Sequence, residues 1–193
     1  VFSNYGTILK DVGKLKEAES FQRKAIEIKP NFAEAHSNLG NILRDLGKSQ
    51  DAEISLRKAI EIKPNFAETH SNLGIILRNL GKLQEAEISL RKAIKIKPNF
   101  AEAHSHLGNI LKANGKLKDA EISYRKAIKL EPNFAEAHRS LGGIFLNYGK
   151  VEEAKIETEE AIRLNPYCEK NYLNLGAILR SKNKLEEAVL STL

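Results

Sequence analysis

Apolar positions recur every three or four residues along most of the chain, a spacing that predicts amphipathic α-helices. One apolar stripe, within residues 33–46, consists of Ala35, Leu39, Ile42, Leu43 and Leu46. A second stripe, within residues 52–60, consists of Ala52, Leu56, Ala59 and Ile60. The pattern therefore predicts two helices joined by a short turn.

Glycine and proline mark the ends of these helices. Gly47 stands between the two stripes, where a residue in the left-handed conformation commonly follows a helix. Pro64 follows the second stripe, and proline cannot continue a helix. Gly40 and Ala52 are small residues on facing stripes, so we expect the two backbones to approach closely there.

The helix pair recurs every 34 residues: residues 33–66 and 67–100 differ at only six positions. All the prolines lie on the same grid, at Pro30, Pro64, Pro98, Pro132 and Pro166. Helix pairs that cannot bury their apolar stripes alone stack on their neighbours, which makes a solenoid. We therefore expect a single array over 1–193, with a partial unit at 1–32, full units at 33–66, 67–100, 101–134 and 135–168, and a partial unit at 169–193.

The segment PNFAEAH at 30–36 returns at 98–104 and 132–138, and as PNFAETH at 64–70. An asparagine followed three residues later by a glutamate is typical of a capping box at a helix N-terminus. The sequence predicts such boxes at Asn31/Glu34, Asn65/Glu68, Asn99/Glu102 and Asn133/Glu136. Phe32 and its equivalents are then expected to pack at the joints between units.

One unit resembles the signature of the tetratricopeptide repeat (TPR) superfamily at Leu39, Gly40, Leu43, Ala52, Leu56, Ala59 and Pro64. The arrays of O-GlcNAc-transferase-like proteins and of bacterial multi-repeat proteins are similar. The resemblance implies an all-α fold, a right-handed superhelical solenoid of antiparallel helix pairs whose first helices line a concave groove. His36 stands where the family often has Trp or Tyr. Departures concentrate near the ends, at Gln22 and Thr158 (for a large apolar residue), Cys168 (for Phe) and Asn183 (for Gly).

Composition and charge narrow the function classes. The formal net charge of +6 is spread along the chain with acidic residues interleaved, so we expect no nucleic-acid binding. The longest apolar runs are only a few residues, as at Ile75–Leu77, so we expect no membrane-spanning segment. The lone Cys168 fits a reducing compartment, and we expect a cytoplasmic location. The chain has no methionine, even at position 1, which suggests a piece of a longer protein.

A column of histidines, meaning residues at the same position of successive repeats, consists of His36, His70, His104 and His138. Packed helices lie about 8–10 Å apart, so these side chains are too distant to share one ion at a ligand distance of about 2 Å. We interpret them as packing histidines. The chain also has no phosphate-binding loop, nucleophile elbow or HExxH motif. We therefore expect no metal site, no cofactor and no catalysis by this segment.

The polar residues of the first helices are the candidate binding residues. Those expected in the groove are Asn4, Asn38, Asn72, Asn174, Asn41, Asn109, Arg44, Arg78, Lys112 and Arg180. The first four form one column, interrupted by His106 and Ser140. Because an asparagine amide can bond both the N–H and the C=O of a peptide backbone, the column resembles the asparagine ladder that holds substrate peptides in O-GlcNAc transferases. The alternative is a polar residue that was simply duplicated with the repeat.

A different TPR subgroup, the heat-shock chaperone adaptors, grips a C-terminal carboxylate with Lys and Arg plus two Asn. Asn41 and Asn72 match that arrangement. Its basic positions are instead occupied by Ser37, Glu102 and His106. That carboxylate clamp is therefore absent.

The sequence leaves three functions open. The first is a protein-interaction scaffold that binds an extended peptide or partner segment in the groove. The second is the substrate-recognition array of a larger glycosyltransferase or sulfotransferase. The third, a helical-repeat RNA binder, is disfavoured by acidic residues expected at the groove edge, Glu34, Glu68, Glu102 and Glu136. Because both ends of the sequence cut through a unit, we also expect the protein to continue beyond them or the fragment to associate end to end.

Overall fold

The computed structural model describes residues 1–190, with side chains through residue 182, and all regular secondary structure in that range is α-helical. The chain divides into two compact units, each larger than a 34-residue repeat, which are called the first and the second unit from here on. The first unit is Val1–Asn99, and the second begins at Phe100. The first unit contains α1 (Phe2–Asp11), α2 (Leu15–Ile28), α3 (Ala33–Asp45), α4 (Ser49–Ile62), α5 (Ala67–Asn79) and α6 (Leu83–Ile96). The second contains α7 (Ala101–Ala113), α8 (Leu117–Leu130), α9 (Ala135–Asn147), α10 (Val151–Leu164) and α11 (Glu169–Leu190).

The first helix of a pair ends at a glycine in the left-handed region. After α3, Gly47 has a φ of 75°, and its N–H donates to the carbonyl of Arg44 at 2.9 Å. The N–H of the next residue donates to the carbonyl of Leu43 at 2.8 Å. This Schellman arrangement satisfies carbonyls that the helix end would otherwise leave unpaired. The second helix, α4, ends two residues before Pro64, so both predicted boundaries are confirmed.

The first helices do not begin with the predicted capping box. The N-cap residue of α3 is Phe32, without a side-chain cap bond, and the N–H of His36 donates to its carbonyl at 3.2 Å. The helix therefore starts one residue later than a cap at Asn31 requires, and the predicted box with Glu34 is wrong. The same holds for the other first helices of full repeats, whose N-cap residues are Phe66, Phe100 and Phe134.

Small residues allow the two helices of a pair to pack closely. A Cβ on Gly40 would lie 2.6 Å from Cγ of Leu56 and 3.3 Å from the backbone carbonyl of Ala52. The predicted close approach of α3 and α4 is therefore confirmed. Most of the predicted stripe residues are buried, with at most 4% exposure: Ala35, Leu39, Ile42, Leu43, Ala52, Leu56 and Ala59. Leu46 and Ile60, also predicted in the stripes, are half-buried.

Within each unit, every helix pair packs on the next. In the first unit α2 contacts α3, α4 contacts α5, and the first helices α1, α3 and α5 contact one another in succession. In the second unit α8 contacts α9, α10 contacts α11, and the first helices α7, α9 and α11 contact one another in succession. Each unit is thus a stack of antiparallel helix pairs, which confirms the predicted all-α solenoid class.

Ion pairs between residues 29 positions apart link helices of the first unit, some between successive repeats, as for Lys48 with Glu19, and some within one repeat, as for Lys63 with Glu34. Lys48 Nζ lies 2.8 Å from the carboxylate of Glu19, and Lys63 Nζ lies 2.8 Å from that of Glu34. The hydrogen bond from Lys48 holds the pKa of Glu19 below its ordinary value, and the bond from Lys63 lowers the pKa of Glu34 in the same way. Since the lysines are well exposed, each pair contributes at most about 1 kcal/mol.

Two polar residues replace the large apolar side chain of the core column that contains Leu56. Gln22 and Thr158 are both fully buried there. Gln22 Nε2 donates to the carbonyl of Ser3 at 2.8 Å, but its Oε1 and the Oγ1 of Thr158 have no partner within residues 1–182. Cys168, just before α11, is a half-buried free thiol. The sequence departures near the ends therefore leave unsatisfied polar atoms in the core.

The last helix does not follow the repeat. Two helices were expected within 169–193, but α11 continues from Glu169 to Leu190, so that expectation is wrong over the described backbone. Asn183 stands where the full repeats have the left-handed glycine, a conformation that residues with a Cβ adopt less readily. The side chains of Asn183, Leu185, Ala188 and Val189 lie outside the described residues; in the sequence the last three begin the apolar stripe expected for a second helix of this repeat. No described helix, α11 included, combines the length and apolar composition of a membrane span.

Candidate functional site

The predicted asparagine column lies on the first helices. In the first unit, Asn4 is exposed on α1, and Asn38 and Asn72 are half-buried on α3 and α5. Asn38 Nδ2 lies 3.4 Å from the hydroxyl oxygens of both Ser3 and Thr7 on the preceding first helix. These hydrogen bonds are long, so the amide keeps its carbonyl oxygen and part of its donor capacity for another partner.

In the second unit the column is interrupted. His106 is half-buried on α7, and Ser140 is buried on α9. Asn174 on α11 is half-buried, and its Nδ2 donates a hydrogen bond of 3.0 Å to the backbone carbonyl of Arg139. Because an amide nitrogen carries two hydrogens, Asn174 retains one N–H and its carbonyl oxygen.

The two other predicted asparagines, Asn41 and Asn109, lie one helical turn further along their helices and are half-buried. Asn109 Oδ1 accepts a hydrogen bond of 2.8 Å from the Tyr124 hydroxyl, and its Nδ2 donates to Glu136 at 3.2 Å. Its amide is therefore engaged at both ends within the protein. Asn41 Oδ1 is buried and has no partner within residues 1–182.

The predicted basic residues of the first unit have polar partners. Arg44 pairs with Asp45 at 3.0 Å, and Asp45 also lies 3.6 Å from the ammonium of Lys10 in the preceding repeat. Arg78 donates to the Oδ1 of Asn79 at 3.4 Å, a long hydrogen bond. The positive charge of Arg44 is thus largely neutralised locally, whereas that of Arg78 is not.

The predicted basic residues of the second unit, Lys112 and Arg180, are exposed at the same position of α7 and α11. A Cβ on Gly143 of α9 would lie 3.5 Å from Lys112 Nζ and 3.8 Å from Asn174 Nδ2. The structure therefore brings two predicted groove residues together over a glycine that the sequence reasoning missed. The available signal was a glycine in mid-helix, where the equivalent residues are Thr7, Asn41, Ile75, Asn109 and Ala177.

The histidine column bonds the turns that precede its own helices. His36 Nε2 lies 2.8 Å from the carbonyl oxygen of Pro30, and His70 Nε2 lies 2.9 Å from that of Pro64. Because a carbonyl oxygen only accepts, Nε2 carries the hydrogen in both. Tyr172, at the same position of α11, donates its hydroxyl to the equivalent proline carbonyl at 2.9 Å. Within the described residues, no three His, Cys, Asp or Glu side chains are grouped so as to hold a metal ion.

His138 has a carboxylate partner, which His36 and His70 lack within the described residues. Its Nε2 bonds the carbonyl of Pro132 at 2.9 Å, and its Nδ1 lies 2.7 Å from the carboxylate of Glu157. The hydrogen bond to Glu157 raises the pKa of His138, although burial opposes the shift. His70 is equally buried, at 8% exposure for each histidine, but Ser89 stands at the position of Glu157, and burial lowers the pKa of His70.

Shallow clefts recur on the second helices as well. A cleft of about 450 Å³ in the first unit has Ile54 on its wall, and its equivalent one repeat later, of about 430 Å³, has Ile88. Both isoleucines are 68% exposed. In the second unit, the cleft beside His138 has a volume of about 420 Å³ and an acidic wall that includes Glu157 and Glu160. These clefts form a second candidate surface, which the sequence reasoning did not identify.

Family models match most of the repeats. Models of the tetratricopeptide repeat match residues 1–32, 33–66, 55–88 and 101–134, and a TPR repeat model matches residues 74–115. No curated protein sequence matches the chain. The ranges 1–32, 33–66 and 101–134 coincide with repeats of the 34-residue grid, whereas 55–88 and 74–115 each span parts of two repeats.

Solved structures share the fold. MamA is 27% identical, with a TM-score of 0.74 and coverage of 83% of this chain and 94% of that one. YrrB, a TPR protein with an unusual peptide-binding site, is 23% identical, with a TM-score of 0.69 and coverage of 89% and 88%. PilF of Pseudomonas aeruginosa is 18% identical, with a TM-score of 0.82 and coverage of 97% and 90%. Repeat length, helix pairs and family models agree, and the chain belongs to the tetratricopeptide repeat superfamily.

Proposed function

We propose that the chain is a non-catalytic protein-interaction scaffold whose first helices hold an extended peptide or partner segment. The observation that carries the proposal is the asparagine column of the first unit. Asn4, Asn38 and Asn72 stand at one position of three consecutive first helices, and each is at least partly accessible. The similarity to YrrB, a TPR protein with a peptide-binding site, supports the same class of function.

The chemistry of the column favours contact with a peptide backbone. Each carboxamide offers two donors and one acceptor, which match the C=O and N–H of a peptide unit. Packed helices lie about 8–10 Å apart, and an extended chain advances about 3.3 Å per residue. A bound strand therefore presents a fresh peptide group to successive asparagines about every third residue, whatever its sequence.

The substrate-recognition array of a larger glycosyltransferase or sulfotransferase would use this surface in the same way. In that role a catalytic domain would be joined to the chain, whereas the mode of peptide binding would be the same as in the scaffold. An RNA-binding role is not proposed, because arginines and lysines of the second helices are paired with carboxylates. Arg57, for example, lies 2.9 Å from Glu53, which also lies 2.8 Å from Lys82.

The proposal is tested with peptides selected on the protein from a random 12-residue library. Affinities of several unrelated peptides are measured for the wild type and for the double variant Asn38→Ala with Asn72→Ala. Removal of two backbone-bonding amides should weaken all of them by about tenfold. The matched control is Asn31→Ala with Asn65→Ala, which alters two exposed asparagines in the turns and should leave the affinities unchanged.

Three results would contradict the proposal. One is unchanged affinity in the Asn38/Asn72 double variant. Another is a loss of affinity confined to a variant of the clefts on the second helices, Ile54→Ser with Ile88→Ser, which would place the peptide there. A selection that yields no peptide at all would also count against an extended-peptide scaffold.

A further inference from the structure

Gly143 leaves an open position on the first-helix face of the second unit. Among the described residues, and apart from its chain neighbours and the backbone of its own helix, the heavy atoms within 4 Å of a Cβ built there are Lys112 Nζ at 3.5 Å and Asn174 Nδ2 at 3.8 Å. The three residues belong to the consecutive first helices α7, α9 and α11. Two nitrogen donors from neighbouring repeats therefore converge on the space that a side chain at this position would occupy.

Core packing does not explain this glycine. A Cβ on the preceding Gly142 would lie 2.7 Å from Thr158 Oγ1 and 3.2 Å from the backbone carbonyl of Ala154, so a side chain is excluded there. At Gly143 the distances are those of ordinary van der Waals contact, and an alanine would fit. A glycine inside a helix makes the fold less stable than an alanine at the same position. The open position thus carries a cost in stability that packing does not require.

The ammonium of Lys112 lacks the acidic partner that Lys10 and Arg44 share at the same position of the repeat. In the first unit Asp45 lies within ion-pair distance of both Lys10 and Arg44. The residues at the corresponding positions around Lys112 are Ala113 and Asn147, which carry no charge. No carboxylate among residues 1–182 pairs with Lys112. Its positive charge therefore remains available beside Gly143.

Asn174 supplies the second donor in a fixed orientation. One N–H of its amide is held by the backbone carbonyl of Arg139 at 3.0 Å. The other N–H has no such bond within the described residues and belongs to the same nitrogen that lies near the Gly143 position. An ammonium and an amide N–H together match an anionic acceptor, because charge-assisted hydrogen bonds to carboxylates are stronger than neutral ones.

We propose that a carboxylate of the bound segment sits over Gly143, between Lys112 Nζ and Asn174 Nδ2. The inference rests on the proposed function, since it names the group that the peptide presents to the second unit. Either an acidic side chain or a C-terminal carboxylate supplies the same two oxygens. The basic residue differs from that of the chaperone-type clamp, because Lys112 stands at another position of the repeat than Ser37, Glu102 and His106, which occupy the basic positions of that clamp.

The test uses the whole chain and three nine-residue Ser/Ala peptides: one with a central Glu and an amidated C-terminus, its Gln counterpart, and the Gln peptide with a free C-terminus. Binding is measured by isothermal titration and by the NMR shift of the Asn174 side-chain amide. At least one carboxylate-bearing peptide should bind about tenfold more tightly than the amidated Gln peptide. Tighter binding of the Glu peptide would identify an acidic side chain as the source of the carboxylate, and tighter binding of the peptide with a free C-terminus would identify the C-terminal carboxylate.

Two variants with matched controls locate the site. Gly143→Ala fills the open position and should abolish the preference for a carboxylate. Gly176→Ala is the control, because it makes the same change in α11 at a glycine with no heavy atom within 4 Å of its Cβ position. Lys112→Gln should likewise remove the preference, whereas Lys118→Gln, at an exposed lysine of α8, should retain it. Thermal midpoints should rise for both glycine variants, so lost binding in Gly143→Ala is not a folding defect.

The outcomes separate this inference from the proposed function. Equal affinity for all three peptides, with weakening by Asn38→Ala and Asn72→Ala, leaves the scaffold in place and overturns the carboxylate site. A carboxylate preference that survives Gly143→Ala also overturns it. Failure of all three peptides to bind counts against both.

Discussion

Asn41 in the first unit and Asn109 in the second occupy the same position of the repeat, yet their carboxamide oxygens are satisfied differently. Asn109 accepts a hydrogen bond from the hydroxyl of Tyr124 at 2.8 Å. The Oδ1 of Asn41 is buried without a partner among the described residues, because Leu56 stands where that tyrosine would donate. The backbone repeats, while the hydrogen bonding depends on the residue facing each asparagine.

At a column of serines the opposite holds: the first unit satisfies the buried hydroxyl and the second does not. In the first unit, the hydroxyl of Ser37 lies 2.8 Å from that of Thr69 in the next repeat. In the second unit, Ser105 is fully buried and its Oγ has no partner among residues 1–182, because Ala137 stands in the column of Thr69. Each unit thus satisfies one of these two groups and leaves the other unpaired.

In both units, a buried polar group at one position of the repeat depends for its hydrogen bond on the residue at a second, facing position. When one column changes alone, as at Leu56 or Ala137, a buried oxygen loses its partner. A change in one column can also create an interaction: the histidine is the same in both units, and Glu157 in place of Ser89 bonds His138. Such changes in single columns make the two units chemically distinct on one backbone plan.

The largest effect is expected where the tyrosine packs on a glycine. A Cβ on Gly108 would lie 2.6 Å from the Tyr124 ring, and a Cβ on Gly40 would lie 2.6 Å from Leu56. Gly40→Ala should lower the free energy of unfolding by about 1–3 kcal/mol through overpacking. Gly108→Ala should cost about 1 kcal/mol more, because it also displaces the tyrosine from its hydrogen bond. Urea unfolding of both variants measures the difference, which should disappear in a Tyr124→Leu background.

A smaller loss is expected when only the hydroxyl is removed. Tyr124→Phe leaves the Oδ1 of Asn109 as unpaired as that of Asn41, and should lower the free energy of unfolding by about 1–2 kcal/mol. Tyr167→Phe is the matched control, since Tyr167 is 94% exposed and should change nothing measurable. Equal stability of Tyr124→Phe and the wild type would mean that the hydrogen bond does not distinguish the units.

The two units should also differ in how their histidines make stability depend on pH. Since the pKa of folded His138 lies above the ordinary 6.5, its pair with Glu157 stabilises fully below that value and is lost as pH rises through the folded pKa. Glu157→Ser should therefore cost about 1 kcal/mol near pH 6 and little at pH 8. For His70, whose pKa is lowered, stability falls as pH drops below 6.5. NMR titration of both imidazoles measures the two shifts.

The mirror substitution serves as the control for this prediction. Ser89→Glu places a carboxylate beside His70 and should raise its pKa above that in the wild type. If Glu157→Ser leaves the pKa of His138 unchanged, the carboxylate is not the cause of the difference between the two histidines.

The smallest expected effect is an increase in stability. Ala137→Thr gives the buried hydroxyl of Ser105 the partner that Thr69 gives to Ser37, and should raise the free energy of unfolding by about 0.5–1.5 kcal/mol. The reverse change, Thr69→Ala, should lower it by a similar amount in the first unit. The two thermal midpoints should move in opposite directions; a fall in both would show that the second unit lacks room for the added atoms.

The helix pairs followed from the sequence because their causes are local and repeated. The apolar stripes, the glycine after α3 and the proline after α4 each act within a few residues, and the structure confirms them. The capping box was wrong because Phe32 supplies the first helical carbonyl, a shift of one residue that composition does not reveal. The length of α11 was missed because the repeat pattern was extended past Asn183, where the glycine is lacking.

The candidate site was less accessible from the sequence. Column positions identified Lys112 and Asn174 separately, but their convergence over Gly143 depends on the stagger of three helices. The sequence likewise could not show that the amide of Asn109 is held by Tyr124 and Glu136, since these contacts join different helices. To predict a contact between repeats, one must know which two positions of the repeat face each other and how the helices are staggered. A single sequence shows the positions but not the stagger.

The spacing of the contacts between repeats has a consequence for how the chain is made. The side-chain hydrogen bonds described between repeats join residues at most 35 positions apart, as for Asn38 with Ser3 and Asn174 with Arg139. Short loops close quickly and at little entropic cost. A nascent chain can therefore dock each repeat soon after it leaves the ribosome, without waiting for the C-terminus. A whole 34-residue unit can also be gained or lost between generations while each remaining neighbour keeps a repeat to pack against.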